Sequence, residues 1–309
     1  MLARSVVLLA AASALVAVSC AASPPAPPTQ DTAAPKPAAP ASSAPAPVAD
    51  PDACGALGCR LFDTPAAAFR TVLAQKPLVL GVGEAHARKD MPGVASSAKR
   101  FTTELLPELA GKVSDLVIEL MVPPTDCEAK TRAVKKELGK VTEKQAETNQ
   151  NEYVTMGDEA KKLGITPHLI HPTCDDFKAL SAPGADPIDA ALTLVGRLMR
   201  ESAEKVLARN AKAGVDKLVV LYGGAIHNAV EPFEGSGGYA FGPSLVATTR
   251  GRYVELDVFV PELVSDTDAW KRFAWYPHFD RKAHPDKATL FAPGPASYTM
   301  LLSVTPSGG

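Results

Sequence analysis

The chain has 309 residues, with 32 Lys and Arg against 34 Asp and Glu, for a formal net charge of -2. That near-balance, with no basic patch interleaved with aromatic residues, argues against nucleic acid as a partner. Hydrophobic residues make up 46% of the chain, so a sizeable core is available, and residues 51–309 have the size of one large domain or two small ones.

In chain order, the first fifty residues read as export and spacing. Met1 to Arg4 is a short basic start, and Ser5 to Val18 is an almost unbroken run of Val, Leu and Ala. That run is too short to cross a hydrocarbon layer of roughly 30 Å as a helix, and it has the size of a signal-peptide core. It ends at Ala17-Val18-Ser19-Cys20, which resembles the bacterial lipobox, with Ala17 where Leu is usual. On that reading residues 1–19 are a signal peptide. Cys20 is then acylated, and the protein is exported and anchored to a membrane of the bacterial cell envelope, on the outer-membrane or periplasmic side. Ordinary cleavage near Ala22 would instead give a soluble secreted protein. Residues 21–50 are mostly Ala and Pro, and Val48 is their one large apolar side chain. With nothing to bury, such a segment cannot offset its ordering entropy, and its prolines favour an extended spacer of about 3.1 Å per residue.

From residue 51 the pattern is that of a single α/β domain in which helices alternate with short apolar runs. A helix over Pro65–Lys76 leads into Pro77–Gly83, a run typical of a strand buried on both faces. Ser96–Ala110 is helical in pattern, with Pro107 expected to bend or shorten it. Asp115–Leu120 is the second strand. Two polar helices follow, near Asp126–Leu138 and Thr142–Leu163, then Gly164 as a helix stop and Ile165–Ile170 as the third strand. Asp186-Pro187 opens a long helix with an N-cap and a proline in its first turn. Its expected buried stripe is Ile188, Leu192, Val195, Met199, Ala203 and Val206, and Gly214 closes it. Lys217–Tyr222 is the fourth strand, Arg252–Val260 the fifth and Ser297–Val304 the sixth. The fold class is therefore α/β, a mainly parallel sheet flanked by helices. Antiparallel edge strands are expected near the C-terminus.

The polar residues cluster where apolar strands end. The first strand runs into Gly83-Glu84-Ala85-His86, the second carries Glu119 near its end, the third ends at His171, and the fourth runs into Gly223-Gly224-Ala225-Ile226-His227-Asn228. Open parallel sheets bind ligands at the carboxyl ends of their strands, so these groups are expected to converge. A histidine after a strand is often only a turn residue. His168, His278 and His284 are read that way. Glu119 is harder to dismiss, because a carboxylate inside Leu-Val-Ile-Glu-Leu-Met is costly to bury without a partner. Glu255 and Asp257 raise the same question more weakly, since alternation would put both on a solvent face. His171, Asn228 and Arg88 are the expected outlying contacts.

Two Gly-x-x-His motifs bracketing a strand glutamate resemble the superfamily that joins the TIKI proteases and TraB-like proteins with the ChaN haem-binding lipoproteins and the erythromycin esterases. The Gly-Glu-x-His form of the first motif leans toward the esterase and ChaN branches, and the likeness spans roughly residues 78–228. It implies a hydrolase of a peptide, ester or amide bond using Glu84, His86, Glu119 and His227. In one version His86, Glu119 and His227 hold a divalent metal. In the other His86 acts as general base on water. The ChaN branch implies the alternative of a haem- or iron-binding lipoprotein, for which Tyr153, Tyr222 and the histidines are candidate ligands. A third alternative is a non-catalytic envelope module.

Setting Cys20 aside leaves Cys54, Cys59, Cys127 and Cys174, which allow three pairings. If the second and third strands are close in the sheet, Cys127 reaches Cys174, and Cys54 pairs with Cys59 across Gly-Ala-Leu-Gly.

Overall fold

The computed structural model describes residues 54, 57–124, 144–180, 182, 184 and 186–305. The signal peptide, the Ala/Pro segment, the polar helix expected near Asp126–Leu138, and Cys127 lie outside them. Among the described residues no helix is long and apolar enough to cross a membrane.

Eight strands form one sheet: β1 Arg60–Phe62, β2 Val79–Glu84, β3 Val113–Met121, β4 Thr166–Ile170, β5 Leu218–Gly224, β6 Tyr253–Phe259, β7 Ala288–Gly294 and β8 Ser297–Leu301. Their spatial order is β1-β7-β8-β6-β2-β5-β3-β4. The pairings β8-β6, β6-β2, β2-β5, β5-β3 and β3-β4 are all parallel. The antiparallel edge is present, and its cause is β7, which opposes both β8 and β1. β6 and β8, the last two strands read from the sequence, run parallel to the central strands. β1 and β7 were not expected at all.

The central strands are apolar on both sides because helices cover both sides. Along β2, β3 and β5, alternate residues enter two separate cores. Leu80, Val82, Leu116, Ile118, Val220 and Tyr222 face the first. Val79, Val117, Val219 and Leu221 face the second. Each fully buried side chain of this kind contributes about 1.5–3 kcal/mol relative to exposure.

The first core is roofed by Pro65–Leu73, by the segment from Ser97 to Leu109 and by Asn149–Lys162. Thr64 caps the first of these helices by accepting from the Ala67 N–H at 3.2 Å, with Pro65 behind it. The second begins as an α-helix at Ser97–Arg100, widens to a π-turn over Phe101–Leu105 and tightens to a 3-10 turn over Leu106–Leu109. Pro107 accounts for this ending, since it has no N–H to continue an α-helical ladder.

The second core is roofed by Cys174–Leu180, Pro187–Ala213 and Gly242–Thr248. Asp186 caps the long helix, accepting from the Ile188 N–H at 2.8 Å, and Gly214 ends it in the left-handed region at φ 66°. Its buried stripe is Ala191, Leu194, Val195, Leu198, Met199, Ala203 and Val206. Ile188 is 50% exposed, so the expected stripe was out of phase at its start.

This layering places the site. Among the described residues, the helices that follow β2 and β3 cover the first core, whereas Gly242–Thr248, which follows the intervening β5, covers the second. Neighbouring strands that depart to opposite faces open a crevice at their carboxyl ends, where ligands bind in sheets of this class.

Candidate functional site

β2 and β5 pair in a register that sets Gly83 beside Gly223 and Glu84 beside Gly224. The two Gly-x-x-His segments therefore leave the sheet at one height, side by side. Glu84 ends β2 with its side chain buried. Its Oε1 accepts from the Tyr153 hydroxyl at 2.6 Å and its Oε2 from the Tyr222 hydroxyl at 2.8 Å. Burial, and then the charge of Glu84, push both phenols well above their usual range, so they remain donors. His86 Nδ1 lies 2.9 Å from Glu84 Oε1 and must carry the proton of that bond. Burial works against charge on His86. The hydrogen bond and charge of Glu84, with the charge of Glu119, outweigh it and hold the imidazole up at about 9.

Glu119 reaches the same place through a break in its strand. The β3–β4 register shifts between Ile118 and Met121, and such irregularities re-aim side chains. Glu119 Oε2 accepts from the Gly224 N–H at 2.6 Å. Gly223 makes room for it, because a Cβ there would overlap Glu119 Oε2 and sit 2.9 Å from its Cβ.

His227 lies in the short helical turn Ala225–Asn228 that follows β5 directly. Its Nδ1 is 2.9 Å from the backbone oxygen of Tyr239. A carbonyl only accepts, so Nδ1 carries the hydrogen. The other ring nitrogen, Nε2, faces Glu119 Oε1 at 3.7 Å. The Tyr239 carbonyl can sit there because residue 196, in the middle of the long helix, is glycine. A Cβ on Gly196 would overlap that oxygen and lie 2.8 Å from its carbon.

The four groups converge. A point where a Cβ on Gly224 would stand is 3.5 Å from His86 Nε2, 3.6 Å from Glu119 Oε2 and 3.8 Å from His227 Cδ2. They form the floor of a cavity of about 840 Å³. Its walls are mainly apolar and include Met121, Ile170, Phe177, Leu192, Val195, Ile226, Phe233, Phe259, Trp270 and Phe273.

No protein-family model matches the chain, and no curated protein matches it. A solved structure described as that of the type III effector HopBA1 is similar to it. The two are 14% identical, with a TM-score of 0.39, over 68% of this chain and 89% of that one. That likeness is too slight to bear on the site.

Of the expected site residues, Glu84, His86, Glu119 and His227 are brought together. Three others are not at the floor. Arg88 is on the surface, bonded to Asp90 at 2.9 and 2.7 Å. His171 is exposed beyond β4, the last strand of the sheet, and is not part of the cavity wall. Asn228 is buried behind the site, donating to the Gly81 carbonyl at 3.2 Å and to Asp257 Oδ1 at 3.1 Å. His168 has the ordinary structural role expected of it, 2.7 Å from Asp115 Oδ1. Cys54 and Cys59 lie at disulfide distance, with a Cα separation of 5.1 Å. Cys174 opens its helix, and its pairing with Cys127 remains a proposal because Cys127 lies outside the described residues.

The donor types at the floor suit a two-imidazole, one-carboxylate metal site. As folded, no three His, Cys, Asp or Glu side chains among the described residues are gathered to hold an ion. Tyr153 and Tyr222, the candidate haem ligands, are buried with their hydroxyls committed to Glu84.

One expectation is reversed. Asp257 does not face solvent; it is 4% exposed on β6, beneath Asn228. Burial, and then the charge of Glu255, raise its carboxyl well above the usual range. A carboxyl raised on folding stabilises most when both states are protonated, and the benefit falls as pH rises above its unfolded value. Asp257→Asn keeps the shape and supplies an amide to Asn228 Oδ1, which is buried without a partner. The expected result is a melting temperature a few degrees higher at pH 8 and a flatter decline with pH. A steeper decline in the variant would contradict the assignment.

Proposed function

We propose that the chain is a hydrolase of an ester, amide or peptide bond, with His227 as general base, Glu119 as its partner and His86 as general acid. The observation that carries the reading is the 3.7 Å approach of His227 Nε2 to Glu119 Oε1, which in the proposed resting state is one acceptor facing another. Two acceptors facing one another suit a water that donates one hydrogen to each, leaving an oxygen lone pair directed at the cavity. As that oxygen attacks a carbonyl carbon, one water proton passes to His227 Nε2. The imidazolium formed is stabilised by the adjacent carboxylate. His86, kept protonated by Glu84, points its Nε2 at the same space. It stabilises the developing oxyanion and then gives its proton to the leaving group. The products are an acid and an alcohol or amine, and the starting state returns when His227 gives its proton to solvent and His86 takes one up from it. The resemblance suggested His86 as the base, but a ring held protonated to about 9 is better suited to the acid role.

No step here passes through a metal, and chelation separates the two versions. The purified chain should turn over members of a panel of p-nitrophenyl esters and p-nitroanilides, and keep doing so in a chelator. His86→Ala should remove that turnover. Turnover lost to chelation and restored by a divalent ion would sink the metal-free step, and no turnover on any ester or anilide would count against the hydrolase.

Export and a lipid anchor at Cys20 belong to the same proposal, on the lipobox-like Ala17-Val18-Ser19-Cys20. Cys20→Ala should abolish incorporation of labelled fatty acid, and undiminished labelling would remove the anchor.

A further inference from the structure

We propose that Arg272 is the anion-recognition group of the cavity and that its ligand is an amphipathic acid, an apolar or aromatic body ending in a carboxylate, sulfonate or phosphate. The proposal takes its view of where a substrate's reactive bond lies from the hydrolase reading, while its binding claim stands on the cavity wall. Arg272 is part of that wall, and its guanidinium carbon lies 4.1 Å from the centre of the Phe233 ring. Phe233 packs edge-on against Phe273, with ring centres 5.3 Å apart. Contact with the ring face restrains this solvent-exposed side chain and leaves its N–H groups to donate to a ligand.

Among the described residues no acidic side chain pairs with Arg272. Among the described residues the other charged groups of the cavity are Glu84, His86, Glu119 and His227, and these are engaged with one another at the floor. The wall therefore carries one cation backed by aromatic carbon instead of a carboxylate. A planar cation of this kind suits a terminal anion, which it can bind with two parallel hydrogen bonds. The apolar walls suit the body between that anion and the floor. A cavity of about 840 Å³ is of small-molecule size, which favours a free amphipathic ester or amide over a folded protein.

The test uses two fluorescent probes with the same aromatic body, 8-anilinonaphthalene-1-sulfonate and the uncharged N-phenyl-1-naphthylamine. The full wild-type chain should bind the sulfonate more tightly. Arg272→Gln should weaken sulfonate binding about 10- to 100-fold, the size of a lost hydrogen bond to a charged group, and leave the neutral probe unchanged. Arg272→Lys, which keeps the charge without the fork, should fall between. Equal losses for both probes in Arg272→Gln, an unchanged sulfonate affinity, or no preference in the wild type would each overturn the proposal. Neither probe has a bond to hydrolyse, so a chain without turnover can still pass this test and an active hydrolase can still fail it.

Discussion

Replacing His227 with Ala should lower the kcat of ester turnover about 10²- to 10⁴-fold, the usual contribution of a positioned general base, with KM little changed. The ring is almost fully buried, and its Nδ1 is bonded to the Tyr239 carbonyl, so one nitrogen remains for chemistry and that nitrogen faces Glu119. Losing a buried ring also costs stability, so the variant's circular dichroism and melting must be checked beside its kinetics. Added imidazole, which can enter the space left behind, should restore part of the rate. A folded variant with wild-type kcat would leave His227 without the role assigned to it.

Glu84→Gln should move the alkaline limb of the kcat profile. In the wild type His86 is protonated below about 9, so the acid role fails only above that pH. The variant removes the charge of Glu84, which raises the imidazole, and leaves burial, which lowers it, opposed by the charge of Glu119. The limb must then shift to lower pH. At pH 8 the expected loss is roughly 10- to 100-fold, within the range of general-acid catalysis, and the deficit should shrink toward pH 6. A limb that stays near 9 would mean that another group holds the proton on His86.

The parts of the fold legible in the sequence are those whose physics is local. β2, β3 and β5 are covered on both faces, so their residues read as unbroken apolar runs, and Asp186-Pro187 and Gly214 mark the ends of the long helix. β1 has three residues, and β7 carries Ala, Pro and Gly; neither has an alternation long enough to notice. The site was legible as far as strand ends reveal it, which is why Glu84, His86, Glu119 and His227 were found together. Tyr153 and Tyr222 were singled out for a different role. Their link to Glu84 joins residues 69 and 138 positions apart, and only strand order and helix placement bring them together. His171 failed for the same reason, since its strand-end position says nothing about its strand lying at the sheet edge. Asp257 failed because alternation was taken to mean solvent, when the segment after β5 covers that face.

Gly196 has no side chain and no place in the cavity wall. By lacking a methyl group it admits the Tyr239 carbonyl, and that carbonyl decides which nitrogen of His227 carries hydrogen. The tautomer of the proposed base is thus written in an empty space on a helix, one residue along from Val195 in the binding wall. An inventory of chemically reactive side chains would pass over the position that tells one of them which way to be protonated.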